Sequence, residues 1–245
     1  MPVIRINAVG DQPSLHDSTR PVSAEMDRYA DETGPVIAMI HGFKYRPGDP
    51  VHCPHRTILS RRPADRDRKS TPWLRQLRFG MGHANEGLAI AFGWQAQSVL
   101  WQAQKQTARA GRALAQVLGQ LHHQNPTRPI HLIGHSLGAD LALEALHHLP
   151  PGAVNRIISM TGASYQSRAA AALATPAGRR AEFINVTSRE NDPFDFLFER
   201  LISPPQRGDR VIGHGLDMPN AVTVQLDCRE TLSHLRHLGV PVHQP

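Results

Sequence analysis

Residues 130–140, IHLIGHSLGAD, constrain this chain more than any other stretch. Ile130 to Ile133 form a short apolar run behind Pro129, the pattern of a buried strand. From Leu137 onward, Gly138, Ala142, Ala145, Leu146 and Leu149 recur at helical spacing. Between the two lies Gly134-His135-Ser136-Leu137-Gly138, which fits G-x-S-x-G. A serine on so tight a strand-to-helix turn is held in a strained backbone conformation with its hydroxyl aimed outward. Glycines two residues to either side let strand and helix approach without side-chain clashes. The N–H of Leu137, at the helix start, points where an oxyanion would form. A chance G-x-S-x-G in a loop needs neither the strand before it nor the helix after it, so Ser136 is the candidate nucleophile.

Upstream, residues 36–40, VIAMI, form a continuous apolar run between Pro35 and His41-Gly42, as a fully buried parallel strand does. With His41-Gly42-Phe43 first and GHSLG second, the chain resembles the α/β-hydrolase superfamily, most closely its lipases and esterases. The resemblance spans residues 36–226 as an order of strands and motifs; only HGF and GHSLG are specific in residues. It implies that the backbone N–H of Phe43 supplies the second half of an oxyanion hole, beside that of Leu137.

The remaining pattern agrees with this order. Strands are expected at 3–7, 88–94, 154–160, 183–187 and 221–226. Helices are expected at 98–124, 168–174, 193–201 and 227–238. Residues 11–34 are polar and give no clear period. The 245 residues read as a single α/β domain, with a mostly parallel, doubly wound sheet and helices on both faces. In such a sheet ligands sit at the carboxyl ends of the strands. HGF, Ser136 and Asp192 all follow strand ends.

Residues 44–87 depart from that regularity. They are long, proline-marked and basic: Lys44, Arg46, Arg56, Arg61, Arg62, Arg66, Arg68 and Lys69 face few acids, Asp49, Asp65 and Asp67. Loops of this length are usually functional or disordered. This one leaves the oxyanion strand directly, so a cap-like insertion over the Ser136 pocket is expected, with Trp73, Leu74, Leu77 and Phe79 docking its far end. The alternative is a basic loop without contact to substrate. The net charge of +6 favours anionic surfaces, lipid among them, and equally suits simple solubility. No nucleic-acid motif accompanies it, and nucleic acid is not an expected partner. No apolar run reaches the roughly 18 residues of a bilayer span, and the N-terminus lacks a secretory core, so a cytoplasmic location is the default expectation. Two cysteines, Cys53 and Cys228, leave one disulfide open and offer no metal spacing.

A serine needs a base to take its proton and an acid to orient that base. The resemblance implies the chain order Ser, acid, His. Asp192, just past the strand FINVT, matches the acid; helix capping before Pro193 would equally suit it. Asp195 and Glu190 are the alternatives. His214, between Gly213 and Gly215, is the expected base. His243 is a second candidate, and a base carried outside these residues is a third, because no His-Trp follows the final strand as it does in similar lipases. His234 and His237 lie on the last helix, less free to reach a remote serine. His41 belongs to the oxyanion segment. The functional expectation is a serine hydrolase cleaving carboxylic esters with an apolar acyl chain through an acyl-enzyme, with no metal or organic cofactor and a small acyl ester as partner. The competing class is a non-catalytic or truncated homologue that keeps the elbow and binds an acyl or anionic ligand. Nothing in the pattern fixes an oligomeric state.

Overall fold

Eight strands lie in one sheet among the residues that the computed structural model describes, 3–60, 72–79 and 86–240. They are β1 (Val3–Val9), β2 (Gln12–Leu15), β3 (Val36–Ile40), β4 (Leu88–Gly93), β5 (Ile130–His135), β6 (Arg156–Met160), β7 (Glu182–Thr187) and β8 (Ala221–Gln225). The helices are α1 (Val22–Asp27), α2 (Trp73–Gln76), α3 (Leu100–Gln124), α4 (Leu137–Ala145), α5 (Gln166–Leu173), α6 (Asp192–Leu201) and α7 (Arg229–His237). The strand order is β2-β1-β4-β3-β5-β6-β7-β8. Only β2 runs antiparallel, to β1; every other neighbouring pair is parallel. This is the mostly parallel α/β architecture of the α/β-hydrolase fold.

The order decides which segment covers which face. The steps β4 to β5, β5 to β6, β6 to β7 and β7 to β8 all advance in one direction along the sheet, so right-handed crossovers put α3, α4, α5 and α6 on one side. The step β3 to β4 runs backwards, so its crossover must cover the opposite side. Strand alternation shows the result. Ala38, Ile40, Ile90, Phe92, Ile130 and Leu132 pack with Leu114, Leu118, Leu141 and Phe198 in the main core. Met39, Ala89 and Ala91 point the other way, onto Ile58, Leu59, Leu74 and Phe79. Each such apolar side chain removed from water contributes roughly 1.5–3 kcal/mol, which the many fully buried residues of β3 and β4 supply on both faces.

The described parts of 44–87 are therefore a face-covering crossover. Its stretches 44–60 and 72–79 are joined where the Trp73 N–H donates to the Ile58 carbonyl, 2.9 Å. Trp73 also stands edge-on to His135, ring centroids 6.5 Å apart, so the returning end reaches the elbow. Leu74 and Phe79 are buried as expected of a docked end, while Leu77 is exposed. The basic run Arg61 to Lys69 of the expected cap lies outside the described residues. In 11–34, where no period is legible, the chain forms β2 and α1. β2 is a four-residue edge strand that carries Pro13, and α1 buries only Val22 and Met26, too few positions to mark a period. Cys53 and Cys228 are both free thiols, which removes the disulfide. Among the described residues no helix is long and apolar enough to cross a membrane.

Candidate active site

Ser136 is the residue between β5 and α4, and its backbone sits at φ 52° and ψ −123°. A side chain at positive φ is strained, and the neighbouring contacts hold it there. The Ser136 N–H donates to the Met160 carbonyl of β6, 3.1 Å, and the Ser136 carbonyl accepts from Ala139 and Ala163 at 3.0 and 3.1 Å. The hydroxyl makes no capping bond to α4. It is free to project from the turn.

HGF lies against this turn. A Cβ added to Gly42 would fall 2.9 Å from Ser136 Cβ and 2.8 Å from the His135 carbonyl oxygen. One added to Gly138 would fall 2.4 Å from the Ile40 carbonyl oxygen and 2.7 Å from that of His41. The exit of β3 and the first turn of α4 thus approach backbone to backbone, as only glycine allows. Leu137 opens α4, where an N–H has no partner within the helix. Among the described residues neither the Leu137 nor the Phe43 N–H has an acceptor. Two unengaged donors therefore flank the serine, one from each side of the β3–α4 contact.

His41 is built into the frame. Its Nε2 accepts the Trp94 N–H at 3.0 Å, so its Nδ1 carries the proton and donates to the Gly42 carbonyl at 2.9 Å. Its own carbonyl accepts from the Trp94 indole at 2.8 Å. Complete burial pushes its pKa down to about 4. A neutral ring with both nitrogens engaged fixes the strand exit and leaves no lone pair for Ser136. The elbow helix is held by a carboxylate that sequence reasoning passed over. Asp140, buried on α4, accepts from Thr107 of α3 (2.7 Å), from Ser164 (2.6 Å) and from the Arg168 guanidinium of α5 (3.1 Å). The three partners are 24 to 33 residues away, so no local pattern announces them.

The expected acid and base line a cavity whose lining residues do not include Ser136. Asp192 and His214 line one cavity of about 240 Å³, together with Thr187, Arg189, Thr223 and Gln225. Asp192 is the first residue of α6, so it does not cap that helix from outside. His214 ends a short 3-10 turn, Ile212–His214, anchored where the Asn185 amide donates to the Ile212 carbonyl at 2.7 Å. The bonded partner of its ring is Arg210, whose guanidinium donates to Nε2, and Glu199 Oε1 lies 3.8 Å from the same nitrogen. Arg210 and the Val211 N–H both bond Glu199, at 2.8 and 3.1 Å. The structure thus brings Asp192 and His214 to one cavity and turns His214 Nε2 toward Arg210.

The other candidates are placed as follows. Asp195 faces inward from α6, accepts from Asn191 at 2.8 Å and presses on Gly213, where an added Cβ would fall 1.8 Å from its Oδ2. Desolvation, then the charges of Asp192 and Glu199, raise its pKa to about 6. Glu190 is exposed, its N–H bonded to Ser188 Oγ. His234 and His237 are exposed on α7, and His237 Nδ1 donates to the Ser233 carbonyl. His243 lies outside the described residues. Among those described, no group of His, Cys, Asp or Glu could hold a metal ion.

Residues 22–196 match the Lipase family. The chain belongs to that family. No curated protein matches it. The matched span takes in β3 and HGF, the elbow and Asp192, and ends before His214. At family level this lipase-family chain is a hydrolase acting on lipid esters. Its elbow carries a serine whose hydroxyl makes no capping bond, and among the described residues the Leu137 and Phe43 N–H groups have no acceptor.

Proposed function

We propose that the chain hydrolyses carboxylic esters with apolar acyl groups, with Ser136 as nucleophile and Asp192 and His214 as acid and base. The observation that carries this reading is the strained Ser136 turn with the free Phe43 and Leu137 N–H groups on either side. Ser136 Oγ attacks the ester carbonyl carbon as His214 Nε2 takes its proton. The carbonyl oxygen, now anionic, is held by the two N–H groups, and Asp192 offsets the imidazolium charge. The C–O bond to the alcohol then breaks, and the alcohol leaves with the proton from His214. Water, deprotonated by the same nitrogen, releases the acid from the acyl-enzyme. For this His214 Nε2 must exchange Arg210 for Ser136. The basic segment after β3 would draw anionic substrate or lipid toward the site, an effect that salt screens.

A second reading follows from that contact. With Arg210 donating into Nε2, the lone pair a base needs is occupied, as it would be in a member that binds an acyl ligand without turning it over. A fluorophosphonate probe separates the two. The hydrolase reading expects labelling of the wild type, none in Ser136→Ala, and a loss in His214→Gln as deep as that in the alanine variant, on the order of 10³-fold or more in ester turnover because such residues act as a unit. An unlabelled wild type sinks the hydrolase reading. A labelled wild type with an undiminished His214→Gln variant removes His214 from it.

A further inference from the structure

Strand β8 ends the sheet on the side opposite β2, and nothing in its sequence protects that edge. β2 carries Pro13, whereas AVTVQ of β8 holds neither a proline nor a charge, the usual devices that stop an edge from pairing. A parallel strand is ordinarily covered on both faces. No residue of β8 is buried; Val222 is 53 % exposed and Leu226, just past the strand, 45 %.

The backbone of the open edge can be assigned group by group. The Phe183 N–H donates to the Asn220 carbonyl and the Leu226 N–H to the Thr187 carbonyl, 2.8 and 2.9 Å. In a parallel ladder alternate residues turn both backbone groups to the same neighbour, so 220, 222, 224 and 226 face β7 while 221, 223 and 225 face away. Of the outward groups, the Ala221 N–H donates to the Met218 carbonyl and the Gln225 carbonyl accepts from Cys228. The Thr223 and Gln225 N–H groups and the Ala221 and Thr223 carbonyls have no partner among the described residues. This free set is centred on Thr223 and matches itself under a two-fold rotation. Two copies of β8 laid antiparallel, Thr223 beside Thr223, exchange both bonds at the axis, and each Gln225 N–H meets the Ala221 carbonyl of the other copy.

The side chains agree with that register. Val222 and Val224 share one face, and Val222 of one copy falls directly opposite Val224 of the other, so the valines of both copies cluster. Thr223 and Gln225 share the other face, where they line the Asp192–His214 cavity. Thr223 of the partner subunit then stands beside Thr223 at the edge of that cavity. Asp217 and Arg229, both exposed, are equally far from Thr223 in sequence, so each end of the pair carries the acid of one copy and the base of the other.

We propose that the chain forms a two-fold dimer through β8, its sheet continuing into that of a second copy. The proposal goes beyond ester hydrolysis and does not depend on it. A strand of another protein could bond this edge in any register; a free set that maps onto itself about Thr223 singles out a second copy.

Sedimentation velocity of the full chain between about 1 and 100 µM should show monomer passing to dimer. Val222→Lys puts like charges among the clustered valines, and Thr223→Pro removes an N–H that β7 does not use. Each should raise the dissociation constant about tenfold or more. Val51→Lys, at an exposed valine of the crossover after β3, should leave it unchanged. If Thr223→Pro fails to fold, Val222→Lys, a change at an exposed position, carries the test alone. The register is read by Thr223→Cys in a Cys228→Ser background. Centred on the axis, the two 223 positions stand about 5.5 Å apart between Cα atoms, within disulfide reach, so oxidation should give a covalent dimer. A monomer at every concentration overturns the proposal. So does a dimer that Val222→Lys leaves intact, or one that Thr223→Cys does not cross-link. None of these readouts involves Ser136, so a wild type that resists the fluorophosphonate probe sinks the hydrolase reading and leaves the dimer standing.

Discussion

Replacing Ser136 by glycine should stabilise the fold while abolishing the proposed chemistry. At φ 52° and ψ −123° the Ser136 Cβ crowds its own backbone, a conformation that costs a residue with a side chain about 1–3 kcal/mol. Alanine keeps that Cβ and therefore the strain. Glycine removes it but adds freedom to the unfolded chain, which offsets roughly 0.4–1 kcal/mol. The hydroxyl makes no capping bond, so its loss alone should change little. The expected order of stability is Gly above Ala, with Ala close to Ser, the first gap being about 0.5–2 kcal/mol. In a protein of this size that is a rise of a few degrees in melting temperature. Urea unfolding of the three proteins at equal m-value is the assay. A glycine variant no more stable than the alanine variant would refute the idea that strain is stored at the elbow.

Two other substitutions probe the frame. Gly138→Ala places a methyl group 2.4 Å from one backbone carbonyl and 2.7 Å from another, neither able to swing aside. It should cost about 1–3 kcal/mol and weaken probe labelling by moving HGF off the turn; full stability with normal labelling would contradict the backbone contact. Asp195→Asn should stabilise the protein near neutral pH. The folded pKa of Asp195 is raised from 3.8 to about 6, so its ionisation burdens the fold progressively as pH climbs through that window and not below it. After discount for partial solvent access the gain is about 1–2 kcal/mol at pH 7.5, fading below pH 4. An equal gain at both pH values would show that charge is not the cause. Turnover that survives Asp195→Asn but not Asp192→Asn is the expected result for activity.

How far the fold was legible depends on burial. β3 and β4 are continuous apolar runs because both sheet faces are covered there, and the structure finds β3 where the sequence puts it. α3 carries its stripe of Ala110, Leu114, Val117, Leu118 and Leu121 into the core and is equally plain. β2 and α1 are not legible, since an edge strand and a six-residue helix bury too little to repeat. The crossover after β3 is legible only at its docked end, Leu74 and Phe79, for a related reason. It packs through scattered residues, Ile58, Leu59, Leu74 and Phe79, that follow no period. Its side of the sheet follows instead from strand order and crossover hand, which only the assembled topology supplies.

The site divides in the same way. Its Ser136 half is made of backbone: a turn, two glycine contacts and two peptide N–H groups, all within residues 40–43 and 134–138. Where geometry is carried by the main chain, spacing in sequence is spacing in space, and HGF with GHSLG reads directly as structure. The other half is made of side chains reaching between segments. Asp192 leaves β7, and His214 sits on the stretch that leads into β8. β7 and β8 are neighbours, and Asp192 and His214 line one cavity. Chain order does not reach the ring itself. Its direction is set by Arg210, four residues upstream, whose guanidinium spans Glu199 of α6 and His214 Nε2. That contact spends the lone pair which base catalysis would use. A histidine between two glycines has the backbone freedom to turn, and Arg210 retains Glu199 as a partner when it does. The energy separating the held from the released ring is then that of one exchanged hydrogen bond, about 1.5–3 kcal/mol for a bond to a charged group. Under the proposed mechanism, a substrate ester seated against Phe43 and Leu137 would have to supply that much to recruit His214.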